Sequence, residues 1–139
     1  MNIQELVVSL IAWIVFQTGL LAPSPPHVVL VPEKRMIELA YGVGSPSDVH
    51  LRALYNRDNE TIYLRDDWNS DNLRDRSELL HELAHHVQRF NKIPAPCSAA
   101  LEADAYRLQF QWLREQGVAD PYTLTETNDL WIALASRCH

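Results

Sequence analysis

The sequence predicts an α+β fold in which a small sheet with a β-hairpin packs on a helix bundle. Short strand-like runs lie in the first half of the chain, and amphipathic helical patterns fill the second half. This segregation of strands from helices is typical of α+β proteins. With 139 residues, 47% of them hydrophobic, we expect a single domain, residues 1–139, with one core.

The first element is an apolar stretch before Gly19 whose hydrophobic residues recur near helical spacing. Its uninterrupted apolar run, Leu10 to Phe16, is far shorter than the roughly 20 residues that a membrane helix needs. The leading residues MNIQE lack the Lys or Arg of a signal peptide. We therefore expect a core helix, with a membrane anchor or uncleaved leader as the alternative. These features do not distinguish a cytoplasmic protein from a periplasmic or secreted one.

A strand and a short helix follow. The β-branched run HVVLV, residues 27–31, predicts a strand after the proline-rich break. Residues 33–41 lie between Pro32 and Gly42, the order in which helices commonly begin and end. We expect a short helix there.

A loop containing Gly44, Pro46 and Ser47 leads to two further strand-like runs. These are HLRALYN, residues 50–56, and TIYL, residues 61–64, and four polar residues separate them. Two such runs joined by a short polar turn predict a β-hairpin.

Three helices complete the chain. Asp75 and Glu78 form a capping-box pattern, which predicts a helix from Arg76 to about Phe90. The break after Phe90 contains an asparagine and two prolines.

The next helix is predicted from Ser98, its capping residue, to Gln116, where Gly117 supplies a left-handed stop. Thr123 and Glu126 form another capping box, which predicts a last helix to about Arg137. Each of these two helices carries one tryptophan, and we expect both, Trp112 and Trp131, in the core.

The motif HELAHH, residues 81–86, carries the chemistry. It satisfies the pattern H-E-x-x-H with His81, Glu82 and His85. On a helix the two histidines lie one turn apart on one face, so both imidazoles can bind one ion, and Glu82 lies beside that face. A catalytic zinc site takes three protein ligands, so one more must come from elsewhere.

The segment LEADAY on the next helix offers Glu102 and Asp104 as third ligand. Residues two positions apart on a helix, such as 102 and 104, are separated by about 200° around its axis. Only one of these carboxylates can therefore face the metal. Glu102 lies beside the apolar stripe that turns inward, whereas Asp104 lies on the polar side with Arg107 and Gln111. Glu102 is the better candidate.

Charge and cysteine content narrow the function classes. The net charge is −6 and the basic residues are scattered, which argues against a nucleic-acid partner. Cys97 and Cys138 are too few for a four-cysteine zinc site. If the last two helices form an antiparallel pair, both cysteines lie at one end and a disulfide is feasible; two buried free thiols are the alternative.

In the HELAHH motif and the LEADAY segment the chain resembles the gluzincin class of zinc metallopeptidases. His81-Glu82-x-x-His85 followed after seventeen residues by Glu102 is the pattern of that class, and HELAHHVQ with EADAYRLQFQWL is similar to a family of small bacterial single-domain proteins of this type. The resemblance implies a zincin-like fold and a peptide or protein substrate. It also implies that TIYL is the edge strand along which an extended peptide aligns.

The function expected from this resemblance is zinc-dependent peptide hydrolysis. Zinc would be held by His81, His85 and Glu102, and Glu82 would act as the general base. A group that stabilises the transition state, or a second-shell partner, is also required. The candidates for that role are His86, Tyr106, Tyr63 and Tyr41.

Two rival functions stay open at this point. One is a metal-bound regulatory or sensor module without hydrolytic activity, and the other is a membrane-anchored interaction protein. The substrate and the oligomeric state do not follow from these patterns.

Overall fold

The computed structural model of the chain describes residues 1–44 and 51–139. The helices and strands are, in chain order, α1 (Ile3–Thr18), β1 (His27–Val31), α2 (Glu33–Tyr41), β2 (Ala53–Asn56), β3 (Thr61–Arg65), α3 (Leu73–Phe90), a 3-10 turn (Ser98–Leu101), α4 (Glu102–Glu115), α5 (Pro121–Thr125) and α6 (Asp129–Ala135). The protein is therefore α+β, as the sequence predicts. Pro46 and Ser47 of the predicted loop, and His50 of the HLRALYN run, lie outside the described residues.

The three strands form one sheet in the order β1-β3-β2. β2 and β3 pair antiparallel, with Tyr55 opposite Ile62, which confirms the predicted hairpin. β1 pairs with β3 in parallel. TIYL therefore lies in the central strand, and its prediction as an edge strand was wrong. Ile62 and Leu64 are fully buried, as their central position requires, and the edge strand beside the motif helix is β2.

α1 is a core helix, as expected. Asn2 and Glu5 form a capping box at its start, and Gly19 ends it in the left-handed conformation. Its buried residues belong to one hydrophobic cluster with α3, α4 and β3. No helix of residues 1–44 and 51–139 is long and apolar enough to cross a membrane.

The motif helix α3 begins at Leu73, three residues before the predicted start. Its cap is Asn72, whose side chain accepts a hydrogen bond from the backbone N–H of Asp75. Asp75 was predicted to cap the helix but is a buried first-turn residue that pairs with Arg52, the residue directly before β2. The helix end near Phe90 agrees with the prediction.

The segment from Ser98 differs from the predicted single helix. Residues 98–101 form a 3-10 turn in which the Ser98 side chain caps no helix end, and α4 starts at Glu102. The end near Gln116 is as predicted, with Gly117 at positive φ.

The last predicted helix is two short helices. Asp120 caps α5 and Asn128 caps α6, each through its side-chain oxygen. Glu126, the predicted second member of a capping box, instead takes a left-handed conformation with φ 57° and separates the two helices.

Cys97 and Cys138 form a disulfide, so the alternative of two free thiols is wrong. Their Cα atoms are 5.8 Å apart, within the ordinary range for a disulfide. The bond joins the segment before α4 to the residues after α6. Glu102 therefore lies within a loop of chain that the disulfide closes covalently.

Candidate metal centre

The H-E-x-x-H residues lie on the floor of a cleft of about 1380 Å³. Glu78, His81, Glu82 and His85 of α3 all line it, because spacings of three and four place side chains on one helix face. His81 is buried, whereas Glu82 and His85 are half-buried. The opposite face of α3 lies in the core, which fixes the direction of these side chains.

Glu102 brings a carboxylate to both histidines. One oxygen lies 3.5 Å from His81 Nε2, and the other contacts His85 Nε2. One ligand atom from each residue lies within 4.8 Å of the others. Asp104 is exposed and faces Arg107, as the helix-face argument predicts.

The donor set fits a zinc ion. Two imidazole nitrogens and a carboxylate oxygen are ligands that zinc commonly takes, and three of them leave a fourth position open. Ligands of one tetrahedral zinc ion at about 2.1 Å are roughly 3.4 Å apart. The His81 and Glu102 atoms already have nearly that separation, so small side-chain adjustments bring all three atoms around one ion.

Gln109 holds the imidazole of His81 from behind. Its side-chain oxygen lies 2.8 Å from His81 Nδ1, and its nitrogen donates to Ser77 Oγ at 3.0 Å. Ser77 donates its own proton to the carbonyl of Arg74 at 2.7 Å. Because Ser77 must accept from Gln109, the amide oxygen faces His81, and Nδ1 carries a proton.

Gln88 holds His85 in the same way. Its side-chain nitrogen donates to the carbonyl oxygen of Leu101 at 3.2 Å, so its oxygen is the atom 2.9 Å from His85 Nδ1. Nδ1 of His85 is therefore also a donor. In both histidines Nε2 is the nitrogen that faces Glu102.

The cluster's electrostatics couple its members. Burial by itself lowers the pKa of His81, but the carboxylates of Glu102 and Glu82 outweigh it and raise the pKa to about 9. Burial raises the pKa of Glu102, yet the two imidazoles outweigh that effect and hold it well below its usual range. For Glu82, burial dominates and raises the pKa. The cluster thus favours a negative Glu102 beside a positive His81.

His86, proposed as a transition-state or second-shell group, lies outside the cluster. Its Nε2 donates to the carbonyl of Ser24 at 2.8 Å, and its Nδ1 accepts from the Tyr55 hydroxyl at 2.8 Å. The side chain is buried. His86 therefore ties the segment before β1 and the edge strand β2 to α3, which is a structural role.

Of the candidate tyrosines, only Tyr106 is next to a metal-ligand candidate. Its ring meets that of His81 edge-on, with centroids 4.4 Å apart. Tyr63 does not line the cleft, and its hydroxyl accepts a hydrogen bond from Asn59 at 3.2 Å. Tyr41 lines the cleft but is exposed.

The wall beside Tyr106 comes from α6. Trp131 packs edge-on against Tyr106 with centroids 5.7 Å apart, and it lines the cleft. About half of its surface is exposed (49%), so its predicted place in the core was wrong. The helical pattern alone does not reveal which face a short C-terminal helix buries.

Three contributors to the site were missed by sequence reasoning. Gln88 and Gln109 are two, and their signal was available: Gln88 lies one turn after His85, and Gln109 lies two turns after Glu102 on the same helix face. The third is Arg52, directly before β2, which pairs with Asp75 and lies 3.7 Å from Glu78. Its place in the site depends on the packing of β2 against α3, because Arg52 is distant from the motif in sequence.

Fold and site together define an α+β protein with a His-His-Glu cluster in an open cleft. The whole chain, residues 1–139, matches the model of the family described as Domain of unknown function (DUF6647), and the protein belongs to that family. No curated protein and no solved structure matches the chain.

Proposed function

We propose that the protein is a zinc-dependent peptidase of gluzincin type with a small zincin-like domain. The observation that carries the proposal is the Glu102 carboxylate, which faces Nε2 of both His81 and His85. Two histidines of one helix and a glutamate of the next form a three-ligand donor set with an open fourth position. Glu82, on the same helix face, lines the same cleft.

His81, His85 and Glu102 would hold the metal. A bound zinc ion lowers the pKa of a coordinated water toward about 7 and polarises a carbonyl oxygen. Glu82 takes a proton from the attacking water and delivers it to the leaving amine nitrogen. The burial that raises the pKa of Glu82 suits this exchange, because a carboxylate with a raised pKa accepts a proton more readily.

Tyr106 supplies a hydrogen-bond donor for the developing oxyanion. Burial and the nearby carboxylates raise the pKa of Tyr106, which keeps the hydroxyl protonated at neutral pH. Tyr106 lines the cleft, so this proton can be donated to a ligand there. A donor next to the reacting carbonyl stabilises negative charge in the transition state.

The substrate would lie as an extended peptide along β2. β2 is an edge strand, and Arg52, Leu54 and Tyr55 of this strand and its flank line the cleft beside the motif helix. An edge strand offers backbone N–H and C=O groups that a peptide can pair with. This arrangement would bring a peptide bond over the metal ligands.

The test combines metal analysis of the purified full-length chain with hydrolysis of a peptide library. We expect one zinc per chain, and cleavage that disappears in Glu82→Gln while the zinc is retained. Stoichiometric zinc without any cleavage dependent on Glu82 would favour a non-hydrolytic regulatory module. Absence of zinc binding would contradict both functions.

A further inference from the structure

We infer that Gln88 and Gln109 are positioning residues that fix which nitrogen of each histidine faces the metal. The inference rests on the proposed metal site. Each glutamine amide is held in one orientation by a group whose hydrogen-bonding direction is unambiguous, and each presents its oxygen to an imidazole Nδ1. The two partners reach the histidines from different elements: Gln109 from α4, and Gln88 from the last turn of α3 itself.

The direction of each chain of hydrogen bonds is set at its far end. For Gln88 that end is the Leu101 carbonyl oxygen, which can only accept. For Gln109 it is Ser77, which spends its one proton on the Arg74 carbonyl oxygen. An amide turned by 180° would set two acceptors against each other, at Ser77 for Gln109 and at Leu101 for Gln88. It would also take the acceptor away from Nδ1.

These hydrogen bonds to Nδ1 determine that Nε2 is the imidazole nitrogen presented to the metal site. An imidazole whose Nδ1 donates to a glutamine oxygen presents its other nitrogen, Nε2, on the opposite side of the ring, and in both histidines that nitrogen faces Glu102. Gln88 and Gln109 are both buried, with 6% and 1% of their surfaces exposed. Water therefore competes little for these hydrogen bonds, and the two rings are held in the orientation that binding requires.

Both partners are neutral amides, which distinguishes them from carboxylate partners. A carboxylate behind each imidazole would add negative charge to the site and raise ligand basicity. With amides, Glu102 is the one anionic member of the donor set. The orientation of the rings is thus fixed without reducing the positive charge that a bound metal brings.

The test uses Gln109→Leu and Gln88→Leu, with Gln111→Leu as matched control. Gln111 lies on the same helix as Gln109, but its amide donates to Gln17 of α1 at 2.7 Å. Zinc affinity, measured by competition with a chromophoric chelator, should fall about 10- to 100-fold in the first two variants and stay within about twofold in the control. Gln109→Glu keeps an acceptor opposite Nδ1, and the Ser77 hydroxyl can turn from the Arg74 carbonyl to donate to its second oxygen, so this variant should restore the affinity. Unchanged affinity in both folded leucine variants would overturn the inference.

A second readout needs no metal. Nitrogen-15 NMR of the metal-free, full-length protein should show protons on Nδ1 of His81 and His85 that exchange slowly with water. These protons should be lost from His81 in Gln109→Leu and from His85 in Gln88→Leu. Absence of both signals from the wild-type protein would overturn the inference. If the signals are present and zinc does not bind, the proposed peptidase function fails while the positioning of the rings stands.

Discussion

The Glu102 carboxylate contacts Nε2 of His85, so the first residue of α4 faces the middle of α3. A side chain at a helix start depends on the segment that leads into it. Here that segment is the 3-10 turn Ser98–Leu101, which follows Cys97. The disulfide to Cys138 therefore restrains the residue that completes the proposed metal site.

The disulfide should contribute strongly to global stability. Its cysteines are 41 residues apart, and closing a loop of that length removes about 4 kcal/mol of unfolded-state entropy in the chain-entropy model. Urea unfolding with and without reductant should show a loss of that order in the free energy of unfolding. The Cys97→Ser/Cys138→Ser protein should already be as unstable as the reduced wild type and should not respond to reductant. A wild-type protein equally stable in reductant would contradict the prediction.

Asp75 should hold the edge strand to the motif helix. It is buried, pairs with Arg52 and accepts the backbone N–H of Asn69 at 2.9 Å. Removing its charge leaves these donors poorly satisfied, so Asp75→Asn should lower the free energy of unfolding by about 2–3 kcal/mol. Asp71→Asn, an exposed change in the loop just before α3, serves as the control and should have little effect in the same urea titration. Equal stability of the two variants would argue against this role.

His85 and His86 should separate metal binding from stability. His86→Ala removes the link between Tyr55 and Ser24 and should cost about 1–3 kcal/mol, while the folded protein still binds zinc. His85→Ala should lose zinc affinity. Denaturation curves and zinc stoichiometry measured on both proteins test this. A folded His86→Ala protein without zinc would mean that the third histidine belongs to the site.

Tyr106→Phe tests the proposed oxyanion donor. The phenylalanine keeps the ring packed against His81 but lacks the hydroxyl, so kcat should fall by about 10²- to 10³-fold, the usual effect of losing one such donor. Zinc affinity should not change. Tyr63→Phe is the control, because Tyr63 does not line the cleft, and its kcat should equal that of the wild type. An active Tyr106→Phe protein would assign the role to another group.

Much of the site's composition follows from local sequence. His81 and His85 share a helix face because of their spacing, and Glu102 faces inward because it lies beside the apolar stripe of α4. The α+β class and the hairpin follow from equally local patterns. In each case the signal lies within a few residues of the feature that it predicts.

What the sequence did not reveal depends on contacts between distant segments. The order of the sheet places β3 in the centre, because β1 pairs with it in parallel after a crossover that no local pattern records. Asp75 forms a capping-box pattern with Glu78, but tertiary pairing with Arg52 makes it a buried ion-pair partner, and Asn72 caps the helix instead. His86 has the same side chain as its neighbour His85, but it lies on a different face of α3 and bonds the Ser24 carbonyl instead of facing Glu102. Local sequence does not distinguish the two histidines.

The most direct test of the metal centre is cobalt titration of the metal-free protein, followed by visible absorption. We predict one equivalent bound, with the intense absorption of a tetrahedral site. Glu102→Gln should weaken binding by more than about 100-fold, since outer partners alone account for about 10- to 100-fold, and Asp104→Asn on the same helix should bind like the wild type. Equal cobalt binding by wild type and Glu102→Gln, or none by the wild type, would contradict the account.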